Sequence, residues 1–322
     1  MPASIIDSTI FQGIFTTDAM RAVWSDENRT AKYIDVERAL AKVQARLGLI
    51  PQEACDEIVS HCELSQIDMA RLRQQTERIG YPILGVVTQL NQLCRDRLGE
   101  YVHWGATTQD ITDTATALQI REGLALVADE IDGIIAAMAK LAREHRLTPM
   151  IGRSNLQQAI PVTFGYKMAG LLSAIERHRE RLAQLRPRVL VGEFAGAAGT
   201  LASLETGAMD TQAGLCAELG LGQPLIAWHT IRDNIAEVGA FLGLVGGTLG
   251  KLSMDVKLMM QTEVGEVFEP YHHGRGSSST MPQKRNPISS AYIHGAISVL
   301  RQHAAALMDA MVADHERSTG PW

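Results

Sequence analysis

Residues 111–145 read ITDTATALQIREGLALVADEIDGIIAAMAKLAREH, and the reading of this run decides the fold. It holds no proline, and Ala115, Leu118, Leu124, Val127, Ile131, Ile134, Ile135, Met138 and Leu141 recur mostly at three- and four-residue steps. That spacing puts the apolar side chains on one face of a single long helix, entered near Thr108 or Asp110. The pattern returns from Val162 to Leu185, between Pro161 and Pro187, then from Ile231 to Gln261 and from Ile288 to about Met311. Such helices exceed the usual globular mean of about 11 residues. Antiparallel helices of this length bury their apolar faces against one another, so the expected fold class is all-α, a long-helix bundle. Strand signals are almost absent.

Upstream of this bundle the helices shorten. One is expected over Asp35–Leu47, ended by Gly48 and Pro51, and another over Pro51–Cys62. The expected organisation is a smaller N-terminal helical domain over 1–110 and the bundle domain over 111–322. No internal repeat or low-complexity segment interrupts either.

Composition narrows the function classes. Of the 322 residues 46% are hydrophobic and 20% charged, which describes a globular chain and not a disordered one. The net charge of −6 is spread with acid and base mixed, and no basic stripe marks a nucleic-acid partner. Cys55, Cys62, Cys94 and Cys216 are too scattered for a disulfide framework and form no Cys-x-x-Cys pair, which points to reduced thiols and a cytoplasmic setting. No basic-then-apolar leader pattern opens the chain, and no apolar run of about 18 residues lacks a charge, so no membrane partner is expected.

The chemistry concentrates at residues 276–287, GSSSTMPQKRNP. A glycine and three serines make a hydroxyl-rich loop that two prolines then stiffen. Lys284 and Asn286 offer a cation and an amide donor to an anionic ligand. A helix starting after Pro287 would aim its first N–H groups at the same place. A second block, His103-Trp104-Gly105-Ala106-Thr107-Thr108-Gln109-Asp110, stands at the mouth of the first long helix. Taken alone it is an ordinary helix cap, but the Thr107 and Thr108 hydroxyls with the helix N–H donors also suit a carboxylate. A third block, Gly152-Arg153-Ser154-Asn155-Leu156-Gln157-Gln158, reads as a polar turn before a helix. Arg232 is a candidate partner for a substrate acid, against the plainer reading of a solvated helix arginine. His272 and His273 lack the spacing of metal ligands, and no metal is expected. Gly192, Gly196 and Gly199 form no Gly-x-Gly-x-x-Gly, so no dinucleotide or other cofactor is expected.

These three blocks resemble those of the fumarase/aspartase superfamily, over nearly the whole chain. The loop matches Gly-Ser-Ser-x-Met-Pro-x-Lys-x-Asn-Pro, with Ser277 where the family usually has glycine. The second block resembles His-x-Gly-x-Thr-Ser-x-Asp with Thr108 for the serine, and the third resembles Gly-Arg-Thr-His-x-Gln with Asn155 for the histidine. Val23-Trp24-Ser25-Asp26-Glu27-Asn28 and Val36-Glu37-Arg38-Ala39-Leu40-Ala41 look like the family's opening. The resemblance implies an all-α homotetramer with active sites shared between subunits, without a cofactor. It implies Ser278 as the catalytic base and His103 as a proton donor. It gives Thr107, Thr108, Asn155, Gln157, Lys284 and Asn286, with Arg232 added as above, the binding of a small polycarboxylate. Relatives usually carry a further small helical domain, and the chain ends about where that domain would start.

The shared family chemistry removes a proton alpha to a carboxylate and beta to a leaving group, through a doubly charged aci-carboxylate that fixed charge and donors must hold. Adenylosuccinate lyases carry an Arg-Tyr pair where this chain has Gly13-Ile14-Phe15-Thr16, which argues against a nucleotide substrate. Gly80-Tyr81-Pro82-Ile83 and the segment from Asp314 to Trp322 resemble the 3-carboxy-cis,cis-muconate cycloisomerase branch instead. A carboxylate leaving group needs less acid help than an amine, so the loss of histidine at 155 harms lactone chemistry less. The expectation is therefore lactonisation of 3-carboxy-cis,cis-muconate. The alternatives are a C–N lyase releasing fumarate from an N-substituted aspartate, and an inactive helical scaffold.

Overall fold

A computed structural model describes residues 4–270, 272 and 274–319. In chain order its elements are α1 (Gln12–Phe15), α2 (Asp18–Val23), α3 (Asp26–Arg46), α4 (Gln52–His61), α5 (Met69–Ile79), α6 (Ile83–Leu93) and α7 (Thr108–Glu144). A hairpin of β1 (Pro149–Ser154) and β2 (Gln157–Thr163) follows, then α8 (Phe164–Val189), α9 (Ala208–Leu219), α10 (Asp233–Met259) and α11 (Ile288–Asp309). The all-α expectation holds, and the four long helices stand within a few residues of where periodicity places them. Helix α3 starts nine residues earlier than expected, at Asp26 against Asp35, because the Ser25 hydroxyl caps it by accepting the Asn28 N–H.

The hairpin is the main departure. Pro161, Val162 and Thr163 belong to β2 and not to the approach of a helix. The strands pair antiparallel from Pro149 opposite Thr163 to Ser154 opposite Gln157, with an irregularity between Ile151 and Arg153. The two-residue turn is Asn155-Leu156, with φ of 49° and 61°. Positive φ at both central residues is the type I′ geometry that suits the strand twist, and asparagine favours it. The sequence hid this turn because leucine, not glycine, holds its second position.

The chain forms two compact units, each discontinuous in sequence. One comprises residues 18–125, 186–234 and 310–319. Its core joins Ile34, Leu40, Ile58, Ile83, Leu90, Ile111, Phe194 and Leu215, all nearly inaccessible. Close approach here depends on glycine: a Cβ on Gly105 (φ 74°) would lie 2.8 Å from Leu204. The other unit comprises residues 4–17, 126–185 and 235–309. In it α10 lies against α11 through Gly239 and Gly246, whose missing side chains admit Leu307 and Leu300. His178 Nε2 on α8 lies 2.8 Å from Thr248 Oγ1 on α10. By length and composition α10 could cross a membrane, but Val238, Phe241 and Val245 are buried within the unit. These groupings follow contact in space. A division of the sequence at Asp110, the third residue of α7, remains a proposal about the change from short helices to long ones.

Candidate active site

One group of candidate residues is built at the start of α7. Asp110 is fully buried, and its carboxylate accepts four donors: Thr107 N at 2.9 Å, Ala195 N at 3.1 Å, Gly196 N at 3.0 Å and His229 Nε2 at 2.7 Å. One side chain thus pins the 103–108 loop to the glycine-bearing loop after residue 194. The Thr107 hydroxyl is not used as a helix cap. It accepts from Arg317 Nη1 at 3.0 Å, and the same guanidinium reaches Ala197 O at 2.8 Å and Gln109 Oε1 at 3.1 Å. Arg317 is half-buried and has no carboxylate partner among the described residues. A half-buried guanidinium with no carboxylate partner among the described residues is a candidate ligand for an anion.

His103 stands in the same loop, with φ of 64°. Its Nδ1 lies 2.6 Å from Glu37 Oε1, and Glu37 is buried on α3. Burial lowers the imidazole pKa, but the charge and hydrogen bond of Glu37, with the charge of Asp110, raise it overall above its ordinary value. Thr108 is half-buried in the first turn of α7. Arg232, a candidate substrate ligand, lies close by but is already paired. Its guanidinium meets Asp113 at 2.6 and 3.0 Å and stacks over Trp228 at 5.1 Å.

Asp110, Glu193 and His229 bring three donor atoms within 4.8 Å of one another. Their bonding is that of a proton network: the His229–Asp110 contact is a hydrogen bond, and Asp110 already has its four donors. Burial, with the charges of Asp110 and Asp113, pushes the Glu193 carboxyl up to about 8 against the Trp228 N–H and Arg232. Of the two adjacent histidines, His273 lies outside the described residues.

The other unit holds the remaining candidates. Asn155 and Gln157 are exposed at the hairpin tip. The hairpin is tied to the segment ahead of the serine loop by Arg153, whose guanidinium meets both oxygens of Glu266 at 2.8 Å. Within the loop the Ser278 Oγ accepts from Met281 N at 3.1 Å and Thr280 N at 3.3 Å. Those donors would steady an alkoxide at Ser278. Lys284 is exposed. Asn286 closes the loop: its amide Nδ2 donates to Gly276 O at 2.8 Å, and its backbone N to the same oxygen at 3.2 Å.

One expectation is corrected here. The first N–H groups of α11 do not face an anion site. Ser289 N and Ser290 N donate to Glu269 at 3.0 and 2.8 Å, with the Ser290 hydroxyl at 2.7 Å. A carboxylate of the chain already occupies the helix N-terminus. Glu37, Arg317 and Glu269 escaped the sequence reading. Glu37 is an acid in line with Ile34, Leu40, Ala41 and Gln44 on the buried face of α3, and Arg317 lies in the segment from Asp314 that carries part of the resemblance. Arg317 follows the last helix, where no periodicity points to anything.

Residues 13–300 match the model of a lyase family. Trans-aconitate decarboxylase 1 of Mycosarcoma maydis is 58% identical over 96% of this chain and 63% of its own length, so the chain spans less than two thirds of that relative. The 3-carboxy-cis,cis-muconate cycloisomerase of Pseudomonas aeruginosa is 45% identical over 97% of this chain and 69% of its own. The crystal structure of the 3-carboxy-cis,cis-muconate lactonizing enzyme from Pseudomonas putida superposes with a TM-score of 0.92 at 41% identity, covering 97% of this chain and 70% of that one. Three sequence blocks, a long-helix fold and these likenesses agree: the chain belongs to the fumarase/aspartase superfamily of lyases.

Proposed function

We propose that this protein acts on a small unsaturated tricarboxylate, and that its reaction is the lactonisation of 3-carboxy-cis,cis-muconate. The observation that carries the substrate class is Arg317, an un-neutralised guanidinium on the Thr107 hydroxyl. It adds a fixed cation to the Thr107 and Thr108 hydroxyls that the resemblance assigns to carboxylates. In lactonisation a substrate carboxylate oxygen adds to the β-carbon of the alkene. The alkene electron pair moves onto the α-carboxylate as the aci-form, and a proton then joins the α-carbon. Ser278 is the group proposed to carry that proton, acting as the base in reverse, and His103 is the second proton-transfer group. No step needs a strong acid at position 155, where the chain has asparagine.

A second reading is favoured by the 58% identity to an aconitate decarboxylase. Loss of carbon dioxide also leaves an electron pair to be protonated on carbon, by the same two groups. The reactions separate cleanly in one assay. The protein is mixed with 3-carboxymuconate, with trans-aconitate and with an N-succinyl amine. Loss of diene absorbance supports lactonisation, carbon dioxide release replaces it with decarboxylation, and fumarate release overturns both.

A homotetramer with shared active sites and a cytoplasmic location belong to the same proposal. The hairpin tip supports the first, since Leu156 and Ile160 are 74% and 70% exposed there beside Asn155 and Gln157. The four free cysteines are compatible with the second. An active monomer in sedimentation would contradict the shared site.

A further inference from the structure

Glu37 gives both carboxylate oxygens to one residue. Oε1 lies 2.6 Å from His103 Nδ1, and Oε2 accepts the His103 backbone N–H at 3.1 Å. The Glu37 side chain is 1% exposed, and it sits on the buried face of α3 with Ile34, Leu40 and Ala41. Desolvating an ionised carboxylate costs several kcal/mol, roughly, unless partners offset it. His103 also adopts φ of 64°, a left-handed backbone that costs a non-glycine residue about 1–2 kcal/mol. Ring and backbone are thus held together by one buried acid.

We propose that Glu37 is a positioning residue that locks His103 in a single tautomer and makes Nε2 the atom that exchanges a proton with substrate. A carboxylate can only accept, so Nδ1 must keep its hydrogen. Nε2 has no hydrogen-bond partner among the described residues, and it carries a lone pair in the neutral ring and the transferable proton in the charged ring. On transfer the Nε2–H bond breaks, its electron pair stays on nitrogen, and the proton joins the substrate atom that bears the developing charge. The ring is left neutral with Nδ1–H still on Glu37. The charges that act on the ring are those of Glu37 on α3 and Asp110 on α7.

The proposal rests on the proton-transfer role given to His103 above, so its test has one arm without substrate. In the free full-length protein, nitrogen NMR of His103 across pH reads both tautomer and protonation constant. The expected result is the Nδ1–H tautomer in the neutral ring, and a fall of about tenfold or more in proton affinity in Glu37→Gln, partly restored in Glu37→Asp. An Nε2–H tautomer, or an unchanged affinity in both variants, overturns the proposal whatever the activity. The wild-type tautomer decides the matter even where Glu37→Gln does not fold. In the second arm, the limb of the kcat pH profile due to His103 moves to lower pH in Glu37→Gln, while KM changes little. Normal NMR behaviour with full turnover in His103→Asn would instead overturn the catalytic role of His103.

Discussion

Glu269 Oε1 lies 2.7 Å from the Ser290 hydroxyl and 2.8 Å from the Ser290 backbone nitrogen, so α11 is capped by an acid that precedes it by nineteen positions (Ile288 against Glu269). Burial raises the Glu269 pKa, but the Ser290 hydroxyl and the Ser289 and Ser290 N–H groups lower it overall. A depressed folded pKa contributes stability that is present above the unfolded value and lost as pH falls through the folded one. Glu269→Ala should therefore cost about 1 kcal/mol at neutral pH. In denaturant titrations the gap from wild type should narrow in acid. A gap independent of pH would show that the charge of Glu269 is not what caps the helix.

Ser278→Ala should abolish turnover without changing thermal unfolding, because among the described residues the Ser278 hydroxyl bonds only locally, to Thr280 N and Met281 N. A loss smaller than about tenfold would move the reactive hydroxyl elsewhere, with Ser279 the first suspect.

Arg317→Ala should lower kcat/KM by tenfold or more, about the 1.5–3 kcal/mol of a hydrogen bond to a charged group. Arg317→Lys should restore little, since an ammonium cannot reach Thr107, Gln109 and Ala197 in one plane. Steady-state kinetics on the substrate identified by the three-way assay checks this. Full activity in Arg317→Ala would remove the support for a tricarboxylate.

The hairpin turn offers a test of strain and of chemistry. Leu156 has φ of 61°, so Leu156→Gly should raise stability by about 1 kcal/mol, read as an increase in melting temperature. Asn155→His keeps a residue that tolerates the left-handed region. It should bring no gain in lactonisation. Enhanced fumarate release in Asn155→His would favour the C–N lyase.

Glu193 supplies a pH prediction of opposite sign. Its folded pKa, pushed up to about 8, lies above the ordinary value of 4.5. The neutral carboxyl carries no penalty below its unfolded pKa, and the native state loses stability as pH rises from there through the folded value. Glu193→Gln keeps an oxygen for the Trp228 N–H, and its stability relative to wild type should improve between pH of about 5 and 8. A constant difference across that range would mean that Glu193 is ionised in the fold.

The sequence alone determined the long helices, because a 3.6-residue apolar period over thirty or so positions has one physical solution. Its residue types also marked the serine loop, whereas the His103 and Asn155 blocks stood out through their resemblance to the family's motifs. Tertiary structure decided what those residues touch. The Asn155-Leu156 turn is a matter of backbone twist that leucine conceals. Glu37 meets His103 across 66 positions, and Arg317 meets Thr107 across 210. Periodicity is a local property that a helix writes into its own segment. A carboxylate, an imidazole, a guanidinium and a hydroxyl brought together by chain return leave no such trace, because only the packing of the helices between them sets their distance.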